Sequence, residues 1–128
     1  MKKIIRSICV IGALLSALVF SGCYSSSYSA VALVHSSTSH EGYMSFYKFN
    51  GTMVFKLDAD DGTVKCSGKL DKGKASVYYD YEGKKKKLCK LNSGDTLSDK
   101  LNVPKDSSVY IIVETDSQCE NGELTFKT

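Results

Sequence analysis

The sequence predicts an all-β domain, an antiparallel β-sandwich of seven or eight strands, immunoglobulin-like or jelly-roll-like. Three observations carry this prediction. Apolar side chains alternate with polar ones, as Met53, Phe55 and Leu57 do with Thr52 and Lys56. Turn residues recur about every 8–12 positions. No window of about 11 residues repeats its apolar side chains with the period of a helix.

The elements follow in order. Residues 43–49 and 52–57 flank Asn50 and Gly51, a pair suited to the positive φ of a tight hairpin turn. The run Asp58, Ala59, Asp60, Asp61, Gly62 is a second turn. Strand 63–70 places Val64, Cys66 and Leu70 on one face and Thr63, Lys65, Ser67 and Lys69 on the other. Asp71 to Gly73 turns the chain into 74–82, and Gly83 with its lysines turns it into 86–91. Asn92, Ser93, Gly94 and Asp95 lead to a weak strand, 96–103, which Pro104 ends. Residues 108–115, Ser-Val-Tyr-Ile-Ile-Val-Glu-Thr, are rich in β-branched side chains and read as a core strand. A turn over 116–122 precedes 123–127, where Leu124 and Phe126 alternate with polar neighbours. The Trp buried in antibody-type domains has no counterpart, since the chain has no Trp.

The first residues read as an address. Lys2, Lys3 and Arg6 precede an apolar run over 8–20, whose 13 residues are fewer than the roughly 20 needed to span a bilayer. Ser21 and Gly22 then precede Cys23. This resembles the signal of bacterial lipoproteins, in which the Cys receives a diacylglycerol and the chain is cut before it. Phe20 departs from the Leu, Val or Ile more usual at its position. The resemblance implies a signal peptide at 1–22, lipidation at Cys23, and a mature protein anchored on the extracytoplasmic side of a membrane. Residues 23–40 are Ser-rich and are expected to be a tether, with 30–35 either an edge strand or a sticky part of it. The folded domain is expected at 41–128. Three of the 17 Lys+Arg fall before residue 7, and the remaining 14 balance the 14 Asp+Glu. A neutral mature chain offers no surplus of cations to neutralise phosphates, so no nucleic-acid partner is expected.

Within 62–126, three stretches carry a second resemblance: Gly-Lys-Leu-Asp-Lys-Gly-Lys-Ala-Ser-Val-Tyr (68–78), Leu-Asn-Ser-Gly-Asp (91–95) and Val-Tyr-Ile-Ile-Val-Glu-Thr-Asp (109–116). They resemble small bacterial surface lipoproteins built as β-sandwiches. That resemblance implies sandwich construction and brings no catalytic residues with it.

The candidate sites differ in their chemistry. Asp58, Asp60 and Asp61 lack calcium-loop spacing, because position 12 from Asp58 is Lys69 rather than a bidentate Glu. His35 and His40, the two histidines, lie in the expected tether, which does not preorganise a metal site or a catalytic base. Glu114 and Asp116 are a carboxylate pair, but a domain this small leaves little room for an enclosed cleft. Neither an enzyme, a metal nor a cofactor is therefore expected. Tyr78, Tyr79 and Tyr81 are the candidate binding residues, as apolar rings with polar tips. Alternation puts Tyr79 and Tyr81 with Val77 and puts Tyr78 on the opposite face, which makes Tyr78 the foremost candidate. Lys84 to Lys87 and Lys90 suit either anionic headgroups or protection of an edge strand.

With Cys9 in the signal and Cys23 lipidated, Cys66, Cys89 and Cys119 remain. An oxidising compartment allows one disulfide among them. Cys66–Cys119 is the favoured pair, ahead of Cys89–Cys119 and Cys66–Cys89. The function expected is a non-catalytic binding or adaptor module at the cell surface, for a protein or a glycan. The alternatives are a small cell-envelope hydrolase and a structural accessory subunit of an envelope complex. A deep pocket joining a His to a nucleophile would favour the hydrolase, and a flat aromatic patch around Tyr78 would favour binding.

Overall fold

The computed structural model describes residues 24–128; the expected signal peptide and Cys23 lie outside them. Nine strands follow in order: β1 Ser27–Val31, β2 Val34–Ser37, β3 Glu41–Ala59, β4 Thr63–Lys72, β5 Ala75–Asp80, β6 Lys86–Leu91, β7 Thr96–Asn102, β8 Ser107–Thr115 and β9 Cys119–Lys127. Every pairing is antiparallel. The described residues include no helix. The all-β antiparallel class read from alternation and turn spacing is the class observed.

The registers show how the strands make two layers. β3 pairs with β9 from Glu41 to Phe49 and with β8 from Thr52 to Ala59. β8 and β9 therefore form one interrupted line along β3. β4 and β5 form a second such line against them, through Lys72↔Glu120 and Ala75↔Thr115. β6 and β7 form a third, through Leu91↔Ala75 and Thr96↔Lys69. On the far side of β3, β1 and β2 form a fourth, through Val31↔Lys48 and Val34↔Ser45. Breaks in the β8–β9, β4–β5 and β6–β7 lines lie level with Asn50 and Gly51. There the sheet bends, and its two halves face each other over one core.

Asn50 and Gly51 thus do not reverse the chain, contrary to the hairpin expected from the sequence. Gly51 sits at φ 136°, an extended mirror conformation open to glycine alone rather than the left-handed pair of a two-residue turn. Its N–H donates to Thr115 Oγ1 at 2.8 Å. A Cβ here would collide with the Ser27 carbonyl oxygen. The pair bends a 19-residue strand because both of its halves have partners on the same β8–β9 line.

Phe49, Phe55, Phe126, Met44, Leu57 and Ile111 are among the largest fully buried side chains. Each such side chain contributes about 1.5–3 kcal/mol by leaving water. Phe55 of one layer meets Phe126 of the other with ring centroids 5.8 Å apart. A void of about 10 Å³ lies between the layers, lined by Phe46, Phe49, Leu70, Leu91 and Val113 among others. That is about the room of a single water, so the layers are closely packed.

The stretch expected as tether is partly strand. Residues 27–31 and 34–37 pair with β3, while every side chain in the two strands remains exposed. Their order comes from backbone pairing to an already buried strand, a source of stability that Ser-rich composition does not reveal.

Candidate binding face

On the layer formed by β3, β5, β6 and β8, alternation sends one set of side chains outward. Ile111 and Val113 point into the core; Tyr110, Ile112 and Glu114 point away from it. Ile112 is nonetheless only 1% exposed. Its register neighbours are Tyr78 on one side and Val54 on the other. In the next outward row, Tyr110 lies between Asp80 and Lys56. Tyr78, Val54 and Tyr110 are half-buried. Together they make a small apolar patch on the outside of the sandwich.

Tyr24 completes the patch. Its ring lies 5.1 Å from that of Tyr110, tilted by 60°. Its hydroxyl donates to Asp80 Oδ2 at 2.5 Å. Asp80 is 2% exposed, and Oδ1 of its carboxylate accepts from the N–H groups of Glu82 and Gly83 at 3.0 and 2.7 Å. One buried carboxylate therefore holds both the turn after β5 and the start of the described chain. Burial, followed by the bond and charge of Asp80, pushes the Tyr24 hydroxyl up to about 12.

Tyr78 faces outward, as alternation required, but its ring is roofed. Lys85 Nζ lies 4.4 Å from the ring centroid and Lys87 Nζ 5.9 Å. Lys85 also donates to Glu114 Oε2 at 2.5 Å. Both partners of that pair are about one third exposed, so water competes for it and the lysine can swing off the ring at small cost. Lys56 lies 5.8 Å from the Tyr110 centroid, giving the patch a cation on a second aromatic face. Tyr79 and Tyr81 take the opposite side. They stack on each other at 6.2 Å with planes 7° apart and pack against the core. The three tyrosines named from the sequence therefore divide between two faces.

Sequence reasoning missed Tyr24, Tyr110 and Ile112 as members of this face. Tyr110 and Ile112 were findable, because they alternate with Ile111 and Val113. Tyr24 was not, because nothing local in a Ser-rich segment marks a contact 56 positions away.

The remaining candidates lie apart from the face. Asp58, Asp60 and Asp61 take separate partners: Ser108 Oγ, His40 Nε2 and the Thr63 N–H. Ser39 Oγ lies 3.1 Å from His40 Nδ1, and His40 Nε2 lies 2.9 Å from Asp60 Oδ2. That order matches a nucleophile, base and orienting acid, but the His40 and Asp60 side chains are 54% and 68% exposed. Water competes for each bond in such a line. His35 lies beside Tyr28, with ring centroids 6.5 Å apart. Among the described residues, no group of three or more His, Cys, Asp or Glu side chains is placed to hold a metal ion. An open polar recess of about 400 Å³ marks the other layer, lined by Ser45, Lys69, Asp71, Asn121 and Glu123 among others.

Cys66, Cys89 and Cys119 are free thiols, which corrects the expected Cys66–Cys119 disulfide. Cys66 is the register partner of Phe126, seven positions along β9 from Cys119. At about 3.3 Å per residue that is roughly 23 Å, far beyond the ~7 Å a bridge spans. The long sequence separation between the two cysteines gave no sign of this, because β4 and β9 pair along their lengths. Burial, then the charge of Asp99, raises the Cys66 thiol to about 12; burial also raises Cys89 and Cys119. Cys119 donates to the Lys74 carbonyl at 3.4 Å.

No family model matches the chain, and no curated protein matches it. Among solved structures, a mutant family 29 carbohydrate-binding module complexed with mannohexaose is similar at 12% identity and TM-score 0.42. The overlap covers 82% of this chain and 90% of that one. Another mutant of a family 29 module is similar at 11% identity and TM-score 0.40, over 81% and 89%. The Drosophila melanogaster CENP-C cupin domain is similar at 14% identity and TM-score 0.35, over 75% and 70%. Overlaps this loose carry no information on ligands, so function rests on the chain's own residues.

Proposed function

We propose that this protein is a non-catalytic binding module, lipid-anchored through Cys23 on the extracytoplasmic side of a membrane. Its ligand is a protein or a glycan. The observation that supports this is the outward patch of Tyr24, Tyr78 and Tyr110 around Ile112. Half-buried tyrosine rings offer flat apolar area with little entropy to lose; the Tyr24 hydroxyl is held by Asp80, and those of Tyr78 and Tyr110 are left to meet a ligand. Lys56, Lys85, Lys87 and Glu114 border the rings and supply donors and an acceptor for hydroxyl or amide groups. Displacing the Lys85 roof exposes the Tyr78 face to a ligand ring or side chain.

The test is an affinity pull-down with the anchored protein, with surface glycans included in the screen. Tyr78→Ala and Tyr110→Ala should each weaken capture by about tenfold or more. Tyr47→Ala, on an exposed ring elsewhere, should leave capture unchanged. Equal capture by all three variants would refute a binding role for this face. Anchorage is tested separately by Cys23→Ala and cell fractionation: a variant that stays in the membrane at unchanged mass refutes lipidation at Cys23.

A further inference from the structure

The two edges of the sheet differ in kind. The β6–β7 edge carries Lys86, Lys87, Lys90 and Lys100, charges that discourage pairing with another strand. The β1–β2 edge has no such protection. Residues 24–40 contain no Asp, Glu, Lys or Arg and no Pro. Both strands are exposed throughout and, among the described residues, pair on one side only, with β3. Alternate N–H and C=O groups of β1 and β2 therefore point away from the sheet.

A second, independent observation falls on the same edge. The described residues include four exposed large apolar side chains: Tyr28, Val31, Val34 and Tyr47, at 41%, 52%, 63% and 48%. Three belong to β1 and β2, and Tyr47 adjoins Lys48, the register partner of Val31. Tyr28 stacks on Phe49 at 5.2 Å, which joins this rim to the core. Backbone groups without a strand partner, neutral charge and clustered apolar area thus coincide on one edge.

We infer that the β1–β2 edge is a homodimer interface, in which it pairs antiparallel with the same edge of a second copy. Charge selects this occupant. A copy brings an equally neutral edge, so no like charges meet and no charge is buried without a partner. An isologous two-fold contact also closes on itself and uses up the unprotected edge of both chains. The lysine-bearing β6–β7 edges are left outermost, which limits assembly to two chains.

The test is the oligomeric state of the full chain in detergent, measured by sedimentation and by light scattering over a concentration series. Backbone hydrogen exchange across β1 and β2 is read in parallel. The expected result is a monomer–dimer equilibrium, with alternate amides of Ser27–Val31 and Val34–Ser37 gaining protection as concentration rises. The double variant Val31→Lys, Val34→Lys should weaken association by about tenfold or more, because like charges then oppose each other. Ser29→Lys should act in the same direction, and unchanged circular dichroism would show that each variant folds. Three results would overturn the inference: a monomer at every concentration, a dimer that both variants leave intact, or a monomer whose edge is protected only by a strand from another protein.

Discussion

Gly42 and Phe55 lie thirteen positions apart on one strand, yet a Cβ added to Gly42 would come within 2.6 Å of the Phe55 ring. In a straight strand they would be separated by roughly 43 Å. The contact exists because β3 bends at Gly51 and its two halves face each other. Gly42→Ala should destabilise the domain by about 1–3 kcal/mol through overpacking, read as a lower urea midpoint. Phe55→Leu, which removes the ring, should relieve part of that loss. A double-mutant cycle with purely additive effects would contradict the contact.

Tyr24 and Asp80 yield a second prediction. Tyr24→Phe removes one of three hydrogen bonds to a buried carboxylate and should cost about 1 kcal/mol. The pH dependence has a definite sign. The hydroxyl rises in the fold from 10 to about 12, so the folded state holds its proton more tightly than the unfolded chain. Its contribution is fully present below pH 10 and is lost as pH rises towards about 12. A urea series across this window should show wild type losing stability relative to Tyr24→Phe. Parallel curves for the two would contradict the assignment.

The thiols give a third. Thiolate is the reactive form, and burial holds Cys66 protonated up to about 12. At neutral pH the folded protein should alkylate slowly, with half-buried Cys89 first and Cys66 and Cys119 far behind. Unfolding without reductant should make all three titratable at once. Only one reactive thiol among the three under those conditions would restore the disulfide.

Much of this fold was legible in the sequence. The 63–70, 86–91, 96–103 and 108–115 segments coincide closely with β4, β6, β7 and β8, because alternation and turn chemistry are local signals. The Asn50–Gly51 bend was not legible, since the same dipeptide serves a hairpin or a bend according to which strands lie alongside. The distance between Cys66 and Cys119 was hidden for the same reason: register is a property of pairs of strands. Of the candidate face, Tyr78 and its direction were readable from Val77. Its roof of Lys85 and its neighbour Tyr24 depend on contacts 7 and more than 50 positions away.

The outward tyrosine face is tested most directly by mapping amide chemical shifts while the captured protein or glycan is titrated in. Binding there predicts shifts concentrated on Tyr24, Val54, Tyr78, Tyr110, Ile112 and Glu114, and lost in Tyr78→Ala. Shifts confined to the β2, β4, β7 and β9 layer, or unaltered by Tyr78→Ala, would contradict it.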